Sequence, residues 1–161
     1  MQDSVTLVDV NDNVLGPISK VEAHLRTNLD KGLSPHRAFS LFLFNSKNEL
    51  LLQQRSDKKV TFPSLWTNSC CSHPRHIPSE LESSIDNNYL GLKRAAVRRS
   101  GFELGIDEDL LGSESDHYKD LHVGSRILYY ANGCDTFAEY ELDYIVFTKK
   151  DVEHTFNPDE I

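Results

Sequence analysis

Apolar residues recur along the chain with a period of two or in short continuous runs, a pattern typical of β-strands. The first such run, residues 5–10, ends at the polar turn Asn11-Asp12-Asn13, and a second apolar run follows directly. This order predicts a hairpin at the start of the chain. By the same criteria, strands are predicted at residues 5–10, 14–17, 38–44, 49–54, 125–130 and 139–147.

The apolar run at residues 38–44 is nearly continuous, which indicates a central strand covered on both faces. The polar turn at 45–48 predicts that the next run, 49–54, returns beside this strand as a second hairpin. Residues 125–130 and 139–147 are expected to form a further strand pair.

A helical period extends over residues 89–104, and Gly105 is placed to end the helix. Its packing stripe is predicted to be Leu92, Ala95 and Ala96. Strands around one long helix, without a repeated strand–helix–strand unit, predict an α+β domain with a mixed sheet. A short turn of helix is expected within residues 17–25, and loops are expected at 30–35, 74–88 and 107–117.

The whole chain, residues 1–161, is expected to form a single domain. Its 39% hydrophobic and 26% charged residues are those of an ordinary globular protein. No apolar run approaches the ~20 residues of a membrane span. No signal peptide, ER-retention signal or peroxisomal signal is recognised in the sequence, so a cytoplasmic location is expected.

Charge and cysteine usage narrow the class of ligand and the redox environment. The net charge of −8 argues against nonspecific binding of nucleic acid. The cations cluster at residues 55–59 and 93–99, which suits a small anion better than a polyanion. The three cysteines do not have the spacing of a disulfide framework, so reduced thiols are expected.

Three histidines and two glutamates form a first candidate site, and these residue types suit a divalent ion such as Zn²⁺, Mn²⁺ or Mg²⁺. Glu139 and Glu141 are two residues apart on a predicted strand, so their carboxylates point to the same face. Each residue also has an ordinary explanation, because single histidines occur in cores and alternating glutamates occur on solvated strands. Spacing alone leaves both explanations open. The candidate ligands are His24, His36, His73, Glu139 and Glu141.

The segment 66–74 contains a second candidate, the thiol of Cys71, two residues before His73. An unpaired cysteine is most often a small buried hydrophobe, whereas one beside cations or a metal is able to act as an acid, a base or a nucleophile. If this stretch is extended, Cys70 and Cys71 point to opposite sides, so only one of them faces the site.

A third group is cationic and suits phosphate oxygens, although four solvated side chains would have the same sequence. Arg99 and Glu103 lie four residues apart on the predicted helix and share a face. This pair suits either a diphosphate with its Mg²⁺ or a surface ion pair. The cationic candidates are Lys20, Arg55, Lys59 and Arg99.

Several segments, taken in order, carry a resemblance to a known family. They are residues 36–40, 53–57, 66–74, 94–96 with 103–105, and 139–141 with 143–144. Over residues 7–161 the chain resembles type I isopentenyl diphosphate isomerase, most closely its eukaryotic branch. The resemblance implies a Nudix fold, an α/β/α sandwich, with residues 90–106 as a degenerate Nudix box. There, Leu90, Arg99 and Phe102 replace glutamates of the hydrolases, which argues against diphosphate hydrolysis.

The resemblance also implies roles for the candidate residues. One divalent metal, Mg²⁺, Mn²⁺ or Zn²⁺, would be held by His24, His36, His73, Glu139 and Glu141. Glu103 would help to bind a second ion, Mg²⁺, that bridges to the substrate diphosphate. The substrate contacts would be Lys20, Arg55, Lys59, Ser72 and Arg99. The catalytic groups would be Cys71 and Glu141, with Tyr129 assisting.

The implied reaction converts isopentenyl diphosphate to dimethylallyl diphosphate, a step of isoprenoid and sterol biosynthesis. One carbon is protonated and another is deprotonated through a tertiary carbocation, which requires two acid/base groups on opposite faces of the alkene. Isopentenyl diphosphate is then the expected partner of a monomeric chain. The alternatives are a Nudix diphosphate hydrolase and a non-catalytic paralogue that binds metal and diphosphate.

The chain departs from the family on its C-terminal side. Family members continue beyond the position of Ile161 with a helical segment that carries a second tryptophan, whereas this chain has only Trp66. We therefore expect the 161-residue chain to be weakly active or inactive and to expose apolar surface.

Overall fold

A six-stranded mixed β-sheet forms the centre of the protein. The computed structural model describes residues 4–161. Its strands are β1 (Ser4–Val8), β2 (Val14–Ser19), β3 (His36–Phe44), β4 (Gln53–Gln54), β5 (Trp66–Thr67), β6 (Cys70–Ser72), β7 (His122–Asn132) and β8 (Ala138–Lys149). Its helices are α1 (Lys20–His24), α2 (Arg26–Leu29) and α3 (Leu90–Leu104), with 3-10 turns at Glu108–Leu111 and Glu114–Asp116.

β3 is the central strand, as its apolar sequence predicted, and the main sheet has the order β2-β1-β3-β8-β7. On one side β3 pairs in parallel with β8 over its whole length, from His36 beside Glu141 to Phe44 beside Lys149. On its other side it pairs antiparallel with β1 at one position and with β6 at three. Because the remaining pairs are antiparallel, the predicted α+β class with a mixed sheet is confirmed.

The sheet separates an apolar core from a polar cavity. Phe39 and Leu41 of β3 are at most 1% exposed and pack in one cluster with α3. The stripe predicted for this helix, Leu92, Ala95 and Ala96, has no exposed surface. Alternate residues of a strand point to opposite faces, so the even-numbered residues of β3 face the other side of the sheet.

The predicted end of the long helix is confirmed. Gly105 follows α3 with a φ of 61°, and its N–H donates to the carbonyl of Gly101. Glycine adopts this left-handed conformation without steric cost, which is why it commonly ends helices. Within residues 4–161, no helix combines the length and apolar character needed to cross a membrane.

Two of the three predicted hairpins are confirmed. β1 pairs with β2, and β7 pairs with β8 over a longer stretch than the apolar pattern indicated. The second hairpin is confirmed only near its turn. Phe44 and Leu50 form an antiparallel bridge, and the N–H of Leu51 donates to the carbonyl of Leu43 at 2.9 Å. The rest of the predicted arm is wrong, because the chain then leaves the sheet and β4 pairs with β5.

The edge of β3 explains this difference, because β6 occupies the positions that residues 49–54 would have needed. Ser69 joins the two competing segments. Its hydroxyl accepts a hydrogen bond from the N–H of Leu43 at 2.8 Å and donates to the carbonyl of Leu51 at 2.7 Å. The Cys70–Ser72 strand is thereby held against the central strand, with its side chains alternating between the core and the cavity.

Two glycines of α3 differ in the space around them, and we expect opposite effects on stability. A Cβ at Gly91 would lie 2.5 Å from the carbonyl oxygen of Glu82, whereas at Gly101 the nearest atom, the Ile106 carbonyl oxygen, lies 3.4 Å away. Gly91→Ala should lower the free energy of unfolding by about 2 kcal/mol or more. Gly101→Ala should raise it by up to about 1 kcal/mol. Urea denaturation measures both, and equal stability of the two variants would contradict the packing described.

Candidate functional site

Four side chains from separate parts of the fold converge on one side of the sheet. His36 begins β3, Glu141 is its neighbour on β8, His73 follows β6, and His24 ends α1. Each offers one ligand atom, and these atoms all lie within 4.8 Å of one another. The Nε2 atoms of the three histidines lie 2.8–3.9 Å from Oε1 of Glu141. A group of this size and composition could hold one divalent ion.

The hydrogen bonding and protonation of the three histidines suit metal binding. Both ring nitrogens of His36 are buried without a well-formed hydrogen bond among the described residues, and Nε2 has only the 3.3 Å contact with Glu141. This arrangement costs free energy unless a ligand satisfies the nitrogens. The Nδ1 atom of His24 donates to the carbonyl of Lys20 at 2.6 Å, so its Nε2 is left with a lone pair. Burial lowers the pKa of His24 to about 4 and that of His73 to about 3. Neutral imidazoles are the form that binds metal.

Glu139, the fifth predicted ligand, lies beside this group but outside it. Its carboxylate accepts a hydrogen bond from the hydroxyl of Thr61 at 3.0 Å, and its Oε2 lies 3.1 Å from the phenol oxygen of Tyr129. Burial and the adjacent charge of Glu141 raise the pKa of Glu139. Its role as a ligand stays a prediction.

Tyr129 bridges the two carboxylates. It lies opposite Glu141 in the β7–β8 register, and its phenol donates to Oε2 of Glu141 at 2.5 Å. Burial and the charge of Glu141 raise the pKa of Tyr129, so the phenol stays protonated. Burial alone would raise the pKa of Glu141, but contacts with His36 and His73 outweigh it and leave the pKa well below its usual value. Glu141 is therefore an ionised carboxylate held from both sides.

Cys71 faces the cavity, whereas Cys70 has no exposed surface and packs in the core. The extended β6 strand thus separates the adjacent thiols as expected. Burial raises the pKa of Cys71 to about 11. The thiol consequently carries its proton at neutral pH.

Asn68, which the sequence did not single out, holds the thiol of Cys71. Its amide nitrogen donates to the carbonyls of Leu41 at 2.9 Å and Cys70 at 3.2 Å. This orientation turns its oxygen toward the sulfur, which donates to it at 2.7 Å. The Thr67 hydroxyl donates to the same oxygen at 2.9 Å. The position of Asn68 in the segment 66–74 was the available signal, but its orientation depends on β3.

Ser40 and Asp143 complete the surroundings of the sulfur and were also missed. The Ser40 hydroxyl donates to Asp143 at 2.8 Å and lies 3.4 Å from the Cys71 sulfur. Burial raises the pKa of Asp143 to about 7. Because β6 and β8 flank β3, Cys71 and Glu141 project from the same face of the sheet, on either side of the central strand.

A cationic cluster lies at another wall of the cavity. Arg99 bonds Glu103 on the same helix at 2.7 Å, and Lys59 lies 3.5 Å from the same carboxylate. Glu103 is 2% exposed, and these cations keep its pKa low despite burial. Lys20 lines the same cavity. Glu103 lies outside the group of three histidines and Glu141, so its metal-binding role stays a prediction.

Arg55 and Ser72 also line the cavity, but Arg55 is engaged elsewhere. Its guanidinium donates to the carbonyls of Thr61 at 2.8 Å and Phe62 at 3.1 Å. It therefore supports the loop that carries Lys59, and its contact with a ligand stays a prediction.

Members of all three candidate groups, the histidines with glutamates, the Cys71 thiol and the cations, line one cavity of about 830 Å³. Its floor is polar, and its mouth carries apolar side chains that are about half exposed or more. These are Val21, Val60, Leu65, Trp66 and Ile127. The cavity thus combines apolar side chains with a thiol, carboxylates and a group of cations.

Comparisons with known proteins agree with this description. No family model matches the chain. The chain is 48% identical over 162 residues to an isopentenyl-diphosphate delta-isomerase of Gibberella zeae and covers 62% of that protein. It is 52% identical over 154 residues to isopentenyl-diphosphate delta-isomerase 1 of Mus musculus, covering 63% of it. It is 51% identical over 161 residues to isopentenyl-diphosphate delta-isomerase I of Clarkia breweri, covering 53% of it. The chain spans less than two thirds of each of these relatives.

A solved structure shares the fold. The crystal structure of DR0079 from Deinococcus radiodurans matches 99% of this chain and 79% of its own, with a TM-score of 0.63 and 18% sequence identity. This similarity concerns the fold alone. Together with the mixed sheet, it supports the expected α+β fold, and the Nudix name stays with the resemblance in sequence.

We expect the protein to bind one divalent ion through the histidine group. His73→Ala should weaken Zn²⁺ binding by more than about 100-fold, because loss of even an outer partner of a metal ligand commonly costs 10–100-fold. His154→Ala is the control, since His154 is exposed and distant in the chain from the group. Calorimetric titration of chelator-treated protein measures both affinities. Equal affinity of the His73 variant and the unchanged protein would place the metal elsewhere.

Proposed function

We propose that this chain, which is homologous over nearly its whole length to the isopentenyl-diphosphate delta-isomerases, converts isopentenyl diphosphate to dimethylallyl diphosphate. The observation that carries the proposal is the placement of Cys71 and Glu141. They project from two strands that flank β3, into one cavity that also contains the cationic cluster. A diphosphate bound by the cations would place a five-carbon chain between the thiol and the carboxylate.

The protonation states of the two groups suit this reaction. Cys71 carries a proton, since burial raises its pKa to about 11, whereas the low pKa of Glu141 leaves it ionised. The pair therefore holds one proton to donate and one site that accepts a proton, as moving a double bond requires. Tyr129 assists by holding Glu141 through its hydrogen bond of 2.5 Å.

The histidine group contributes to the same step by orienting Glu141. When bound, a divalent ion would supply positive charge that holds this carboxylate and stabilises its ionised form. We propose His24, His36, His73 and Glu141 as its ligands, with Glu139 beside them, and Mg²⁺, Mn²⁺ or Zn²⁺ as the ion. Glu139 and Tyr129 keep the carboxylate in place from the opposite side.

Binding of the diphosphate is assigned to the cationic wall. Lys20, Lys59 and Arg99 face the cavity and provide charges for phosphate oxygens. Arg55 and Ser72 are proposed as further contacts. Glu103, packed against Arg99, is proposed to help bind a Mg²⁺ ion carried by the substrate. A cytoplasmic location and a monomeric state stay predictions.

The apolar part of the cavity suits the hydrocarbon end of the substrate. Aromatic side chains there include Phe62, Trp66 and Phe137. An aromatic face attracts a cation without reacting with it, so these rings are suited to a carbocation. Hydrolysis is less well supported, because Arg99 and Phe102 stand where Nudix hydrolases carry metal-binding glutamates.

Replacing either catalytic residue should abolish the isomerisation. Cys71→Ala and Glu141→Gln are each expected to lower the kcat of the 161-residue chain, which is itself expected to be low, by at least about 100-fold, the usual minimum for loss of an acid or base. Cys134→Ala is the matched control, because this thiol is exposed in the turn between β7 and β8. The assay incubates each protein with isopentenyl diphosphate and Mg²⁺ and measures the acid-labile allylic product and released phosphate.

Circular dichroism shows whether each variant is folded. Turnover of the folded Cys71 or Glu141 variant close to that of the control would overturn the roles assigned. Phosphate release without allylic product would favour a hydrolase, and tight substrate binding without either product would favour a non-catalytic paralogue.

The orientation of the thiol should affect kcat more than KM. Asn68→Ala removes the oxygen that lies 2.7 Å from the Cys71 sulfur but no group of the cationic wall. We expect kcat to fall by about 10-fold or more, since small displacements of a reacting group are costly, while KM changes little. Asn132→Ala is the matched control, because Asn132 is exposed at the end of β7 and does not line the cavity. A rise in KM with unchanged kcat would show that Asn68 acts in substrate binding instead.

A further inference from the structure

The cationic wall of the cavity is already in contact with a carboxylate of the chain itself, that of Glu160. Its Oε2 atom lies 2.7 Å from Nη2 of Arg99 and also contacts Nζ of Lys59. The side chain of Glu160 is 17% exposed, so water screens these contacts only in part. Two of the cations assigned to an anionic ligand therefore have an internal partner.

The backbone around Glu160 is held in place. Its carbonyl accepts from the N–H of Ser56 at 3.0 Å, and its N–H donates to the carbonyl of Asn157 at 2.9 Å. The N–H of Asn157 donates in turn to the carbonyl of Glu103 at 3.0 Å, at the end of α3. The following residue, Ile161, packs against the apolar core. The backbone contacts thus position the Glu160 carboxylate next to the cations.

The second carboxylate at this wall is not equivalent. Glu103 is 3% exposed at its side chain and also accepts from the amide of Gln53 at 3.2 Å, so it is fixed beneath the cations. Glu160 approaches the same cations from the cavity side, where it lines the space. An anion that enters the cavity meets Glu160 first.

We propose that Glu160 is an internal competitor of the diphosphate and sets the affinity of the site for it. The identity of the anion rests on the function proposed above. Phosphate oxygens and the Glu160 carboxylate would accept from the same N–H groups of Lys59 and Arg99. Two anions bound to the same donors repel each other strongly. The diphosphate therefore displaces Glu160 from these donors. In the free protein the carboxylate neutralises cations that would otherwise be crowded together and partly desolvated.

Binding of inorganic diphosphate tests this proposal without depending on catalysis. Glu160→Gln keeps the size of the side chain but removes its charge. Its dissociation constant for inorganic diphosphate in Mg²⁺-free buffer should fall by about 10-fold, which corresponds to about 1.4 kcal/mol. Calorimetric titration measures this dissociation constant. In a repeat with Mg²⁺, the Glu160→Gln variant should again bind diphosphate more tightly than the unchanged protein.

Glu153→Gln is the matched control, because it makes the same change at an exposed position outside the cavity lining. Water screens the charge of an exposed side chain, so the affinity should change by less than about 2-fold. An equal gain in both variants would show a general effect of net charge and would overturn the proposal.

The remaining outcomes separate this inference from the proposed function. Unchanged or weaker diphosphate binding by the Glu160 variant would overturn the competitor role and leave the isomerase proposal in place. Weaker binding only in the presence of Mg²⁺ would identify Glu160 as a metal ligand and would also overturn it. If neither protein binds diphosphate, the diphosphate site fails, and both proposals fail with it.

Discussion

The parallel pairing of β3 with β8 is the constraint on which the site depends. Its register sets His36 beside Glu141, and the alternation of side chains then sends Glu139, Glu141 and Asp143 to the same face. A shift of one residue would turn these carboxylates into the apolar core, against the cluster formed by Phe39 and α3. The same pairing therefore builds the core on one side and the candidate active site on the other.

The cavity side of the sheet concentrates groups that are unfavourable when buried alone. The ring nitrogens of His36 have no well-formed hydrogen bond among the described residues, and Glu139 and Glu141 are adjacent carboxylates. The protein offsets part of this cost through the phenol of Tyr129 and the imidazoles around Glu141. The rest is the free energy that a bound cation would recover, which is why the same cluster is both costly for the fold and suited to a metal.

The opposite charges of the cavity are distributed unevenly. Glu139, Glu141 and Asp143 come from β8, whereas Arg99 comes from α3, and Cys71 and apolar side chains line the same cavity. This distribution fits the proposed function, in which the cations bind the diphosphate and the hydrocarbon end meets Cys71 and Glu141. The contacts of Glu160 with Lys59 and Arg99 supply a counter-charge, which a group of cations in a partly buried cavity requires when no ligand is present.

Local sequence pattern determined the elements that depend on neighbouring residues. The apolar run at residues 38–44 predicted the central strand, and the helical stripe ending at Gly105 predicted α3, because burial of one face and a left-handed cap are local requirements. The resemblance in residue order indicated which histidines and carboxylates were candidates for the site. The second hairpin formed only near its turn, because β6 occupies the next positions on that edge of β3. The orientation of Asn68, the contact of Ser40 with Asp143 and the approach of Glu160 to the cations were likewise settled only by tertiary structure. Each joins residues far apart in the chain, where spacing carries no information about distance.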